Sequence, residues 1–182
     1  MNVALRRAMT VDEYLAWADS QSERQRTELI NGQIVAKAVE RLGHNRVKGY
    51  VYVALRQAVA AANLPCEVMT DGVAVRIDDH TAYEPDALVR CGNELPGEMM
   101  VVPDPMIVVE VLSPTTAHSD TSAKLIGYFK VRSVVHYLVV DPDDRTVTHY
   151  TRNGTPNLLN GGSLRLDPPG IDLAVQTLFA PV

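Results

Sequence analysis

The chain has 182 residues, 46% of them hydrophobic and 21% charged, with a formal net charge of −5. That length builds one domain that buries roughly two thirds of the surface its unfolded chain would expose, and the acidic balance argues against a generally basic nucleic-acid coat while leaving room for a local basic groove. No stretch approaches the roughly eighteen apolar residues of a membrane span. The start, MNVALRRAMT, lacks the apolar core of a signal peptide, so the expectation is a cytoplasmic protein without membrane contact. Cys66 and Cys91 lack the paired spacing of a zinc site and read as two reduced thiols, with nothing in the sequence forcing a disulfide.

Thr10 and Glu13 have the spacing of a capping box, and Val11, Tyr14, Leu15 and Ala18 recur at helical intervals, which predicts a short helix to about Ala18 anchored by Trp17. Between Thr27 and Ala36 two short apolar runs flank Asn31-Gly32, a type I′ hairpin signal that puts Glu28 on a strand. A long helix follows from Gly43 to Asn63, with an apolar face through Val47, Val51, Ala54, Leu55, Ala58 and Ala62, and Pro65 forbids its continuation. Strands are expected at Glu67–Thr70 and Val73–Ile77, separated by Asp71-Gly72, then at Ala82–Val89 and Met106–Leu112. The stretch from Gly92 to Pro105 carries too many breakers for a regular element and reads as a surface loop bordering the site. Beyond Pro114 a helix should begin around Ser119 or Asp120, with Leu125, Tyr128 and Phe129 inward; Val134–Val140 and Val147–Thr151 are further strands. The tail reads as loops around one small strand.

Helices before and after a run of apolar strands give an α/β domain with a central mixed sheet flanked by helices. No repeat or linker divides it, so residues 1–182 form a single domain, a core over about 10–150 with 151–182 as a C-terminal extension packed on it.

The chemistry concentrates at Asp86 in EPDALV and Glu110 in MIVVEVLS. A buried strand of Val and Ile has no structural use for a charge at its end, so each carboxylate needs a cation or a metal. Neighbouring strands lie about 4.8 Å apart, close enough to bring two carboxylates to one ion. Oxygen ligands without clustered Cys or His suit magnesium, with manganese as the alternative, and such an ion can orient a phosphate and activate water. Lys124 would supply a positive charge for the transition state, and Glu28 would be a third acid, binding directly or through water. His44, near a helix start, would hydrogen-bond Glu28 or a phosphate, or cap the local backbone; Tyr128 would pack beneath Lys124. Asp120 is placed to pair with Lys124. Arg24, Arg26, Arg41, Arg46 and Lys48 form a candidate strip for nucleic-acid phosphates. His118, His136 and His149 show no metal spacing.

The order TELINGQI, a His at the start of a long helix, EPDALV, IVVEVLSP, then Asp120, Lys124 and Tyr128 closely resembles the Uma2, or DUF820, family of the restriction-endonuclease-like PD-(D/E)xK superfamily. The resemblance covers about Thr10 to Tyr150 and implies a restriction-endonuclease-like core. It further implies a metal-dependent endonuclease that hydrolyses DNA. By the family pattern Glu28 is the N-terminal acid, Asp86 the acid after Pro85, and Glu110 the acid of the ExK element. Leu112 stands where the simple pattern has lysine, and Lys124 on the following helix takes its place. That displacement keeps a second reading open, a catalytically weak or inactive DNA-binding or regulatory module of the same fold. Nuclease folds of this kind often pair, so a homodimer is expected.

Overall fold

The computed structural model describes residues 7–22, 25–113 and 119–180, the side chains of 119–121 excepted. Arg24, Pro114 and His118 therefore lie outside the described residues, as does the side chain of Asp120. Helix α1, Val11–Ser20, begins at the expected capping box: Thr10 Oγ1 accepts from the Glu13 amide, and Glu13 Oε2 accepts from the Thr10 amide. Strands β1, Thr27–Ile30, and β2, Gln33–Ala36, turn on Asn31 and Gly32 with φ of 50° and 75°, the left-handed pair that a type I′ turn needs. Helix α2 spans Leu42–Ala61, and its stripe of Val47, Val51, Ala54, Leu55 and Val59 is buried.

Strand β3, Cys66–Thr70, and strand β4, Val75–Asp78, do not form a hairpin across Asp71-Gly72. They belong to different sheets, and Asp71-Gly72 carries the chain from one to the other. The apolar run expected as one strand over 82–89 is likewise divided, into β5, Thr81–Tyr83, and β6, Ala87–Cys91. Pro85 has no amide hydrogen for a ladder, so the chain leaves the first sheet there and enters the second at Asp86.

Strand β7, Ile107–Val111, precedes helix α3, Ser119–Tyr128; β8, His136–Asp141, and β9, Thr146–Thr151, follow. The tail is more regular than expected. It contains β10, Asn157–Leu159, then β11, Ser163–Leu166, and β12, Ile171–Ala174, which pair as a hairpin, and a 3₁₀ turn over Val175–Leu178. The reason is period-two burial: Leu164, Leu166, Ile171 and Leu173 are inside, while Ser163, Arg165 and Asp172 face out.

A six-stranded sheet in the order β10-β9-β8-β7-β6-β3 is parallel only between β7 and β8 and forms the centre of the molecule. One face, with Ala87, Val89, Ile107, Val109, Val111, Leu138 and Val140, packs on α2 and the β11–β12 hairpin. The other, with Leu88, Val108, Tyr137 and Val139, packs on Tyr128 of α3 and on Val75, Ile77 and Tyr83 around the smaller antiparallel sheet, β2-β1-β5-β4. Helix α1 covers the far side of that smaller sheet, Val11 and Tyr14 packing with Leu29 and Ala82 of the sheet. Among the described residues no helix is long and apolar enough to cross a membrane.

The reading of Cys66 and Cys91 as reduced thiols is corrected. They are register partners on β3 and β6, with Cα atoms 3.9 Å apart, and are joined by a disulfide. Sequence separation alone does not reveal a cross-strand pairing.

α3 approaches β5 so closely that a Cβ on Gly127 would lie 2.6 Å from Tyr83 Cε2. Gly127→Ala should therefore destabilise the fold by about 1–3 kcal/mol through overpacking. Gly97, with open space around its Cβ position, should tolerate Ala to within about 0.5 kcal/mol. Urea unfolding of both variants checks this, and equal midpoints would remove the close contact from the account.

Candidate active site

Alternation along each strand aims the acids. Leu29 packs toward α1, so Glu28 turns the opposite way; Val109 and Val111 face α2, so Glu110 points to the α3 side. Asp86 stands at the end of the β6–β7 ladder, its amide bonded to the Val109 carbonyl at 3.0 Å. Lys124 enters from α3. Glu28, Asp86, Glu110 and Lys124 are each at most 9% exposed, and all four line one cavity of about 970 Å³ together with His44.

Lys124 Nζ donates to Glu28 Oε1 at 3.0 Å and to Glu110 Oε1 at 2.9 Å, so one ammonium ties β1 to β7. The Tyr128 hydroxyl donates to the same Glu110 oxygen at 2.6 Å. Burial, and then the nearby Glu110 and Glu28 charges, hold that phenol well above its ordinary pKa, so it remains a donor. Glu28 Oε1 also accepts the Glu84 amide at 2.9 Å, beside the break at Pro85. Asp86 uses both oxygens: Oδ2 accepts the Val111 amide at 2.8 Å, and Oδ1 lies 3.1 Å from Lys48 Nζ.

A second layer of acids, not apparent from the sequence, holds two of the cations expected in the phosphate strip. Glu40, Asp71 and Asp86 present oxygens within 4.8 Å of one another, a cluster able to coordinate a cation. Lys48 reaches Glu40 at 2.8 Å and Asp71 at 2.5 Å, and Arg26 contacts Glu40, Asp71 and Glu84 at 2.6, 2.8 and 2.8 Å. Lys48 and Arg26 are thus engaged in ion pairs and leave the expected phosphate strip, while Arg41 and Arg46 are exposed on the cavity wall. A signal for Lys48 was present: it follows His44 by one helical turn and shares its buried face. Asp71 and Glu40 gave none, because an Asp before Gly reads as a turn and a Glu before a helix as solvated.

His44 does not bond to Glu28. Its Nε2–H donates to the Val111 carbonyl at 2.7 Å, and its Nδ1 lies 3.2 Å from Glu40 Oε2. The loop over 92–105 does not border the cavity; Val101 bridges to Ala74 and Val102 is buried in the core. His136 and His149 share a buried contact at 2.9 Å away from the acids.

The donors around the cavity fit a hard divalent ion, being chiefly carboxylate oxygens with no thiolate among them. Among the described residues six carboxylates, Glu28, Glu40, Asp71, Glu84, Asp86 and Glu110, meet four cations, Arg26, Lys37, Lys48 and Lys124. Glu40 shows strong compensation: burial raises its pKa, but Lys48 and Arg26 outweigh that and hold it at about 2. Glu110 shows the shortage. Burial pushes it from 4.5 up to about 7, with Asp86 and Glu28 adding to the rise and Lys124 and Lys37 opposing it.

Between pH 4.5 and 7 the native chain therefore holds a proton on Glu110 that the unfolded chain has released. This group's stabilising contribution is complete below 4.5 and is lost as pH rises through 7. Unfolding free energies measured in the absence of metal should consequently fall for the wild type relative to Glu110→Gln across that window. Parallel pH profiles would contradict the assignment.

The sequence model of the Uma2 family, described as "Putative restriction endonuclease", matches residues 11–176. Two Synechocystis proteins, uncharacterized protein slr1290 and uncharacterized protein sll1609, are each 26% identical, over 94% and 85% of this chain and 91% and 86% of their own. The crystal structure of a "putative nuclease belonging to DUF820" from Anabaena variabilis superposes with a TM-score of 0.74 at 18% identity, covering 94% of this chain and 97% of that one. The chain belongs to the Uma2 family, and its mixed sheet flanked by helices is a restriction-endonuclease-like fold related to that of PD-(D/E)xK nucleases.

Proposed function

We propose that the protein is a metal-dependent endonuclease that hydrolyses DNA phosphodiester bonds. The observation that carries this reading is the convergence of Glu28, Asp86, Glu110 and Lys124 on one cavity whose acids outnumber their cations. Asp86 and Glu110 would hold a magnesium ion, or manganese, with Glu28 joining directly or through water. The ion supplies Lewis acidity toward the phosphate and a water of lowered pKa. Lys124 stabilises negative charge developing on the phosphate oxygens, and its bonds to Glu28 and Glu110 set its position beforehand. Tyr128 orients Glu110 from beneath. His44 fixes the Val111 carbonyl beside Asp86, and the exposed Arg41 and Arg46 offer contacts for the phosphate backbone.

Two copies related by a two-fold axis would set two such cavities against the two strands of a duplex. Light scattering should then give twice the mass of the 20.0 kDa chain, and a persistent monomer would remove the homodimer while leaving nicking intact.

Plasmid, linear duplex and single-stranded DNA incubated with magnesium or manganese should be cut, and chelation should abolish cutting until the ion is restored. Asp86→Asn, Glu110→Gln and Lys124→Met should each reduce the rate by about 100-fold or more. Cutting unchanged in Glu110→Gln would refute the site. Saturable DNA binding without cleavage under any of these conditions would instead favour a regulatory module of the same fold.

A further inference from the structure

Glu40, Asp71 and Asp86 surround a single point, each offering one oxygen within 4.8 Å of the others. That point is filled from within the chain. Lys48 Nζ lies 2.8, 2.5 and 3.1 Å from the three carboxylates and is almost wholly buried on α2. Arg26 closes the cage by contacting Glu40 and Asp71. Asp86 belongs to both groups, since its Oδ1 faces Lys48 and its Oδ2 is held by the Val111 amide next to Glu110.

We propose that Lys48 is a built-in cation standing where a second divalent ion would bind, so that this centre takes one metal ion rather than two. The inference rests on the nuclease reading of the same cavity. Paired-metal phosphodiesterases place two cations on shared carboxylates, and here Asp86 is the shared carboxylate. A magnesium ion needs oxygens at about 2.0–2.1 Å and cannot occupy the same space as an ammonium contacting those oxygens. Mutual repulsion excludes it further. Lys48 is therefore a positioning residue. Its single charge orients Asp86, while Lys124 pairs with Glu110.

Counting bound manganese by electron paramagnetic resonance on the full chain tests this without an activity readout. Wild type should bind one ion and Lys48→Met two, the added ion taking the oxygens of Glu40, Asp71 and Asp86. One ion in both proteins, or two in wild type, overturns the proposal and leaves the nuclease reading standing. None in wild type and one in Lys48→Met supports the cage and defeats the metal site of the nuclease reading; none in either defeats both. Should Lys48→Met fail to fold, Asp71→Asn decides, because Asp71 serves the lysine and not the metal. Its manganese affinity should stay within about 3-fold of wild type, whereas a loss of about 10-fold or more, as expected for a residue supporting the metal, would overturn the proposal.

Discussion

A carboxylate buried at the end of an apolar sheet must be neutralised by something equally buried, and the arrangement of this molecule follows from that demand. The cations come from separate layers: Lys124 from α3 on one face of the central sheet, Lys48 from α2 on the other, Arg26 and Lys37 from the two ends of the β1–β2 hairpin. The layers are thus joined by charge as well as by apolar packing. Loss of one member of a buried pair costs about 3–5 kcal/mol because it strands the other, so the acids that equip the cavity for a cation also fix the distances between layers.

Local signals made most elements legible: the capping box at Thr10, Asn31-Gly32, and the stripe from Val47 to Leu55. What escaped was non-local. Asp71-Gly72 and Pro85 resemble a turn and a mid-strand interruption, yet each is a passage between two sheets, which depends on pairing partners far away in sequence. The cross-strand disulfide escaped for the same reason, whereas the tail hairpin is local and its period-two pattern was obscured by the Gly and Pro breakers around it. At the site, residues embedded in apolar runs stood out because a charge there conflicts with its surroundings. Glu40 and Asp71 stand in polar stretches where an acid is unremarkable, so only the fold shows that they enclose Lys48 and Arg26.

Sequence identity of 18% with the Anabaena protein preserves the path of the backbone over nearly the whole chain. Chemistry is set at a finer scale. Position 112 on the strand side is Leu112, and the ammonium within 2.9 Å of Glu110 comes from Lys124 on α3. The helix sets its reach.

The smaller sheet is assembled from two chain segments, β1–β2 and β4–β5, with all of α2 and β3 between them. Its joining contacts, Leu29 with Ala82 and Arg26 with Glu84, therefore close a long loop of chain. Closing such a loop costs entropy before its contacts repay it, and non-local pairings are slow to form. A chain that has formed only its helices and local hairpins still has Glu28 apart from Asp86 and Glu110, so the acid-lined cavity comes into being with that long-range closure and no earlier.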